Sequence, residues 1–305
     1  MNTQTKIAFI GNSEGPAKLL EIFRKMTPER SGVWGNLEGV SSYEEADYFV
    51  VIDYMPCDLK GKIDNAKCIY IGAHPETMQA YRDLSNIKAF KTIDIAHTNG
   101  FCEWWLNLDY TYLSNLQPPV KTNRLCCIMS DADSQFYHRS RREHLSRFVD
   151  TIPENLDFSL YGRIVPFTDK MKTFYRGPCG SYDPRGAATA EGNDHMSGKE
   201  EVLRSHRFAL EYDCTGEHYI SERVFDDLLM WAMPVYWGGK GVEKYLPKES
   251  FIPLYIEGNG SDFLDYLNPE LYTECLPAIT KARDILLNEL QLWPVVHKAI
   301  FGTSI

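Results

Sequence analysis

The chain has 305 residues, room for about two domains at the usual ~100–200 residues each. Hydrophobic residues make up 44% and charged residues 24%, a globular balance that excludes a disordered chain. With 32 Lys and Arg against 42 Asp and Glu the net charge is −10, so nucleic acid has no general electrostatic hold on it and any anionic ligand needs a local basic site.

KIAFIG (6–11) reads as the first strand, apolar and ending in glycine. The loop GNSEGP follows, a tight turn or a phosphate cradle, and then AKLLEIFRKM places Leu19, Leu20, Ile22 and Phe23 at helical spacing. YFVVIDY and KCIYIGAH read as the second and third strands. Strands that are apolar throughout and alternate with helices point to a parallel sheet covered on both faces. Residues 1–116 therefore form a first α/β domain.

NLQPPVKTN carries paired prolines, which resist both helix and central strand, and gives a linker at 117–123. RLCCIMS then restarts the pattern, followed by the helix-prone REHLSRFVDTI and the strand LDFSLYG. The Gly- and Pro-rich RGPCGSYDPRGAATAEGNDHMSG reads as a long surface loop. KEEVLRSHRFALEYD, ISERVFDDLLMWAMPVYWGG and SFIPLYI complete a second α/β domain over 124–275. The tail 276–305 is helical in pattern, with Leu286, Leu287, Leu290 and Trp293 on one apolar stripe. The fold class is thus α/β, two Rossmann-like domains facing across a cleft, where ligands bind at strand carboxyl ends.

The N-terminus lacks the apolar core of a signal peptide, and no stretch approaches the ~20 apolar residues of a membrane helix. The eight cysteines form no CxxC pair and no framework spacing, which suits free thiols. These features lead us to expect a cytoplasmic protein without a membrane span.

The run 207–255 carries the most chemistry. Ser221 is a good N-cap, and Val224, Phe225, Leu228 and Leu229 recur at helical spacing behind it. A helix starting there offers free N–H groups and a positive dipole end to a diphosphate. Arg223 adds a cationic fork suited to phosphate oxygens, and Glu222 a carboxylate able to accept two ribose hydroxyls. The plainer alternative makes Glu222 a dipole complement and Arg223 a solvated side chain.

Several elements in this run resemble the donor-binding signature of the α-1,3-fucosyltransferase family. Tyr212-Asp213-Cys214 stands where that family has Phe-Glu-Asn, and Tyr219-Ile220-Ser221-Glu222-Arg223 where it has Tyr-Val-Thr-Glu-Lys. Pro234-Val235-Tyr236-Trp237-Gly238 and Pro247-Lys248-Glu249-Ser250-Phe251-Ile252 then follow in order. The resemblance implies a GT-B fold and inverting, metal-independent transfer of fucose or another sugar from a GDP-sugar to a glycan hydroxyl. It places Asp213, Tyr219, Glu222 and Arg223 at the donor, with Glu222 on the ribose and Arg223 on the phosphate. No cofactor is implied beyond the donor itself. An exostosin-like transferase and a catalytically silent nucleotide or glycan binder are the alternatives.

Four arginines and two histidines crowd FYHRSRREHLSRF (136–148). The resembling family binds the diphosphate with an Arg in this helix. Arg142 fits best, since Leu145 and Phe148 match the family's apolar positions, and Arg141 is the alternative. Asp131-Ala132-Asp133 has the form of a metal-binding DxD, though Asp residues before a helix are ordinary caps. There is no GxSxG or HExxH, and His195, His206 and His218 do not fall at metal-ligand spacing with cysteines. The family's general base is a Glu of the N-terminal domain just ahead of the counterpart of Phe101–Leu106. No Glu stands there, which leaves His97, Asp94 and Glu103 as candidates.

Overall fold

A computed structural model describes residues 4–11, 15–72, 91–94, 103–129, 136–164, 166, 168–179, 198–213, 220–254 and 261–302; for 92–94, 136–140 and 240 only the backbone is described. The chain divides into two compact units. The first gathers residues 1–103, 108–116 and 284–305, and the second 104–107 and 117–283.

The first unit begins with β1 (Thr5–Ile10) and α1 (Pro16–Arg24), then the short strands β2 (Val33–Trp34) and β3 (Leu37–Gly39). β4 (Tyr48–Ile52), β5 (Cys68–Gly72) and β6 (Lys91–Asp94) follow, and α2 (Tyr110–Asn115) comes later in the chain. The sheet order is β2-β3-β1-β4-β5-β6, parallel except for the β2–β3 pair. Its central strands are apolar on both faces because both are covered: Ile7 to Ile10, Val50, Val51 and Ile69 to Ile71 are fully buried.

In the second unit β7 (Asn123–Ile128) leads into α3 (Phe136–Thr151), β8 (Phe158–Tyr161), α4 (Asp169–Phe174) and β9 (Tyr175–Gly177). α5 (Lys199–Ser205), β10 (His206–Tyr212), α6 (Glu222–Leu229), β11 (Met233–Trp237) and β12 (Ile252–Pro253) follow, with α7 (Pro269–Ile285) behind them. The order β12-β11-β10-β7-β8-β9 is parallel throughout. Both units are Rossmann-like, with parallel central strands. Gly162, which closes β8 at φ 122°, admits no side chain, since a Cβ there would lie 1.9 Å from the Met129 carbonyl oxygen.

Two segments sit differently from the sequence expectation. The linker 117–123 is part of the second unit: Lys121 is buried, its Nζ donating to the carbonyls of Leu203 and Met230 at 2.5 and 2.8 Å. Burial pulls that amine down to about 7. The helical tail 276–305 divides at Asp284, inside α7, and α8 (Leu292–Phe301) packs into the first unit. Trp293 is the reason. Its indole is fully buried edge-on to Phe9 at 5.6 Å and donates to the Phe23 carbonyl at 2.9 Å. An apolar stripe marks a buried face but does not say which sheet buries it. No helix among the described residues is long and apolar enough to cross a membrane.

Candidate functional site

In the second unit β10 and β11 run parallel with Glu211 opposite Tyr236 and Tyr212 opposite Trp237. Their carboxyl ends, the edge where open α/β sheets bind ligands, meet the first turn of α6. Ser221 occupies the N-cap position with extended dihedrals, but its hydroxyl caps nothing. The Oγ is buried without a hydrogen-bond partner. The Ser221 N–H donates instead to Asp213 Oδ2 at 3.0 Å, and the Tyr236 hydroxyl donates to the same oxygen at 2.6 Å. The Gly239 N–H in turn donates to the Tyr236 hydroxyl at 3.2 Å. Gly238 makes room for this latch: a Cβ there would lie 2.2 Å from the Tyr236 hydroxyl and 2.8 Å from Asp213 Cβ.

Behind the latch lies a buried cluster rich in acids. Lys199 Nζ donates to Asp226 Oδ2 at 2.6 Å, and the Trp105 N–H donates to Asp226 Oδ1 at 2.9 Å. Arg223 stands between two carboxylates, Nη1 3.8 Å from Glu211 Oε2 and Nε 3.8 Å from Glu222 Oε1. Both separations exceed hydrogen-bond reach, so these are loose ion pairs. Glu211, Asp226 and Asp227 are each at most 2% exposed, and neither Asp227 oxygen has a hydrogen-bond partner.

Acids outnumber bases in this dry space, so some must hold protons. Burial, against the pull of Arg223 and Lys199, raises Glu211 to about 7. Burial likewise raises Asp226 to about 6, held back by Lys199, and drives Asp227 well above the carboxylate range with help from Glu211. For Lys199 burial lowers the pKa, but Asp226 and the surrounding acids outweigh it and the net shift is upward.

On the same edge His144 of α3 lies stacked on Tyr212 (5.7 Å, 24°) and tilted against Trp237 (4.8 Å, 52°). Burial, with Arg147, lowers its pKa and favours the neutral ring.

No family model matches the chain. An α-(1,3)-fucosyltransferase, FucT of Helicobacter pylori, is 28% identical over 74 residues, 24% of this chain and 16% of that protein's length. Among solved structures, an α1,3-fucosyltransferase with GDP-fucose aligns over 90% of this chain and 81% of its own at 14% identity, with a TM-score of 0.46. A T4 phage β-glucosyltransferase aligns over 93% and 94% at 12% identity, with a TM-score of 0.38. What the site can do follows from its own residues.

Of the sequence-derived candidates, Asp213, Glu222 and Arg223 come together at the start of α6. Asp213 is fully buried and holds the chain leading into that helix. Of the two candidate arginines on α3, Arg141 turns inward at 1% exposure, while Arg142 is half-buried. The Arg141 charge, like that of Arg223, acts on the Cys127 thiol of β7, which burial, then Glu211, pushes well up. Glu103 is buried in the first unit. Asp94 closes β6, its side chain outside the described residues, as are His97, Tyr219, Asp131 and Asp133 altogether. His206 is a core residue, its Nδ1 2.7 Å from the Val202 carbonyl oxygen.

Sequence reasoning passed over Lys199, Glu211, Asp226, Asp227 and Tyr236. The paired aspartates of VFDDLL carried no signal of burial, because helical spacing would place them opposite Phe225 and Leu228, and only the enclosure of α6 on all sides buries them.

Proposed function

We propose that the chain is a nucleotide-sugar-dependent glycosyltransferase of the GT-B type, with the second unit holding the donor. The observation that carries this reading is the start of α6. A helix N-terminus, a buried serine hydroxyl without a partner and a guanidinium in loose ion pairs converge at the carboxyl edge of a parallel sheet. That set suits a diphosphate: N–H groups and a hydroxyl to donate, and a cation for the charge. The motif run through Tyr212 and Pro247–Ile252, together with the similarity to the H. pylori enzyme, favours a GDP-sugar, with fucose as its sugar.

In this reading Arg223 and the α6 N–H groups bind the diphosphate, with Arg142, or its neighbour Arg141, as the helper from α3. Glu222 accepts the ribose hydroxyls. Asp213 shapes the site through the latch rather than touching the donor. An acceptor glycan hydroxyl attacks the anomeric carbon, the bond from that carbon to the diphosphate oxygen breaks, and the configuration inverts. A base takes the hydroxyl proton, with His97, Asp94 and Glu103 as its candidates. Charge gathers on the departing diphosphate, where Arg223 meets it without a metal.

Titration with GDP and with guanosine tests the assignment. Arg223→Ala removes a charge-assisted bond of roughly 1.5–3 kcal/mol, about 10- to 150-fold in GDP affinity, and leaves guanosine binding nearly unchanged. Glu222→Gln weakens both ligands alike. Arg223→Ala that lowers the melting temperature while leaving GDP affinity intact makes Arg223 a structural ion-pair partner and removes the reading.

A further inference from the structure

Glu211 immediately precedes the Tyr212-Asp213-Cys214 element, and its buried carboxylate is one of two that stand 3.8 Å from the Arg223 guanidinium. β10 presents it toward α6. Arg223 and Asp227, four residues apart, share the face of that helix which turns to it. A phosphate arriving at the mouth of α6 draws on the same guanidinium. Resting on the donor-site reading above, we propose that Glu211 competes with the ligand's phosphates for Arg223, so that a nucleoside diphosphate binds together with one proton, taken up by the Glu211 carboxylate.

The groups around Glu211 fix the direction. From α6 it meets Arg223, Glu222 and Asp227, and from α5 Lys199. Asp213 follows it on its own strand, and the Cys126 and Cys127 thiols lie on neighbouring β7, held in their neutral forms by burial. Glu211 titrates at about 7 while Arg223 is near. When the phosphates share that guanidinium and bring negative charge of their own, the carboxylate becomes harder to ionise. Bound protein therefore holds more protons than free protein above pH 7, and affinity falls as pH rises. Neither Asp227 oxygen has a hydrogen-bond partner, and the Glu211 charge pushes its pKa further up.

Isothermal titration of the full chain with GDP-fucose decides it, because a diphosphate esterified at both ends does not itself titrate near neutrality. Titrations in two buffers of different ionisation heat should show uptake of about half a proton or more near pH 8, and affinity about 5- to 10-fold weaker at pH 8 than at pH 6. Glu211→Gln, which mimics the protonated acid, should bind as tightly as wild type at pH 6 and keep that affinity at pH 8. Arg223→Ala, at the edge of the cluster, should bind weakly and without proton uptake, so the proposal stays testable if the buried variant does not fold. Binding by wild type without uptake or pH dependence overturns the proposal and leaves the donor site standing. Persistence of the pH dependence in Glu211→Gln does the same, moving it to another group such as His144. Absence of binding at either pH removes the donor-site reading and the proposal with it.

Discussion

Tyr236→Phe isolates the latch that sets the start of α6. The substitution deletes one oxygen from a side chain that is 4% exposed and leaves the ring to pack as before. It removes the 2.6 Å bond to Asp213 Oδ2 and the acceptor of the Gly239 N–H at 3.2 Å. A bond to a charged group contributes about 1.5–3 kcal/mol, and an orphaned buried N–H costs about 1 more, for a loss of roughly 2–4 kcal/mol. At about 2–4 °C per kcal/mol for a domain of this size, the melting temperature drops by roughly 4–16 °C. Asp213 then holds the Ser221 N–H alone, the approach to α6 loosens, and GDP affinity falls with it. Differential scanning calorimetry and GDP titration read the two effects. A variant that melts within 1 °C of wild type refutes the latch. Unchanged stability with lost affinity instead makes the hydroxyl a ligand contact.

Lys199→Met breaks a buried pair and strands Asp226, a loss of about 3–5 kcal/mol, and Lys199→Met with Asp226→Asn recovers much of it in urea denaturation. Folded Glu211 at about 7 and Asp226 at about 6 both lie above their unfolded values, so the folded state binds more protons between those limits. Their contribution is complete below the unfolded carboxylate pKa and is lost as pH rises through 6 and 7, so thermal melting comes higher at pH 5.5 than at 7.5; the reverse order removes the argument. Nucleotide held by Arg223 and helix N–H groups needs no cation, and GDP affinity measured with and without EDTA is the same; a large loss on chelation returns attention to Asp131 and Asp133.

The two sheets were legible because their central strands are buried on both faces and so are apolar without interruption, as in KIAFIG and RLCCIMS. Pairing order was not, since β3 and β4 flank β1 through contacts that composition does not encode. The linker was half legible. Pro118 and Pro119 break regular structure as expected, but Lys121 is a cation whose two carbonyl partners lie 82 and 109 residues away. Long-range partners of that kind leave no mark in a local window.

The site shows the same division at the scale of single side chains. Motif spacing singled out α3 for its arginines, but adjacent residues on a helix point about 100° apart, so a one-residue shift decides between sheet and solvent. Arg141 shares its face with Leu145 and Phe148, both fully buried, and is buried with them. Arg142 is turned away from that face. Asp226 and Asp227 mark the limit of that logic: between Phe225 and Leu228 they fall on the side an amphipathic helix would expose, yet α6 is enclosed all round and both are buried. A buried carboxyl group is costly as a lone anion, and here Lys199 pairs with Asp226 while burial, then Glu211, drives the Asp227 carboxyl well above its usual range.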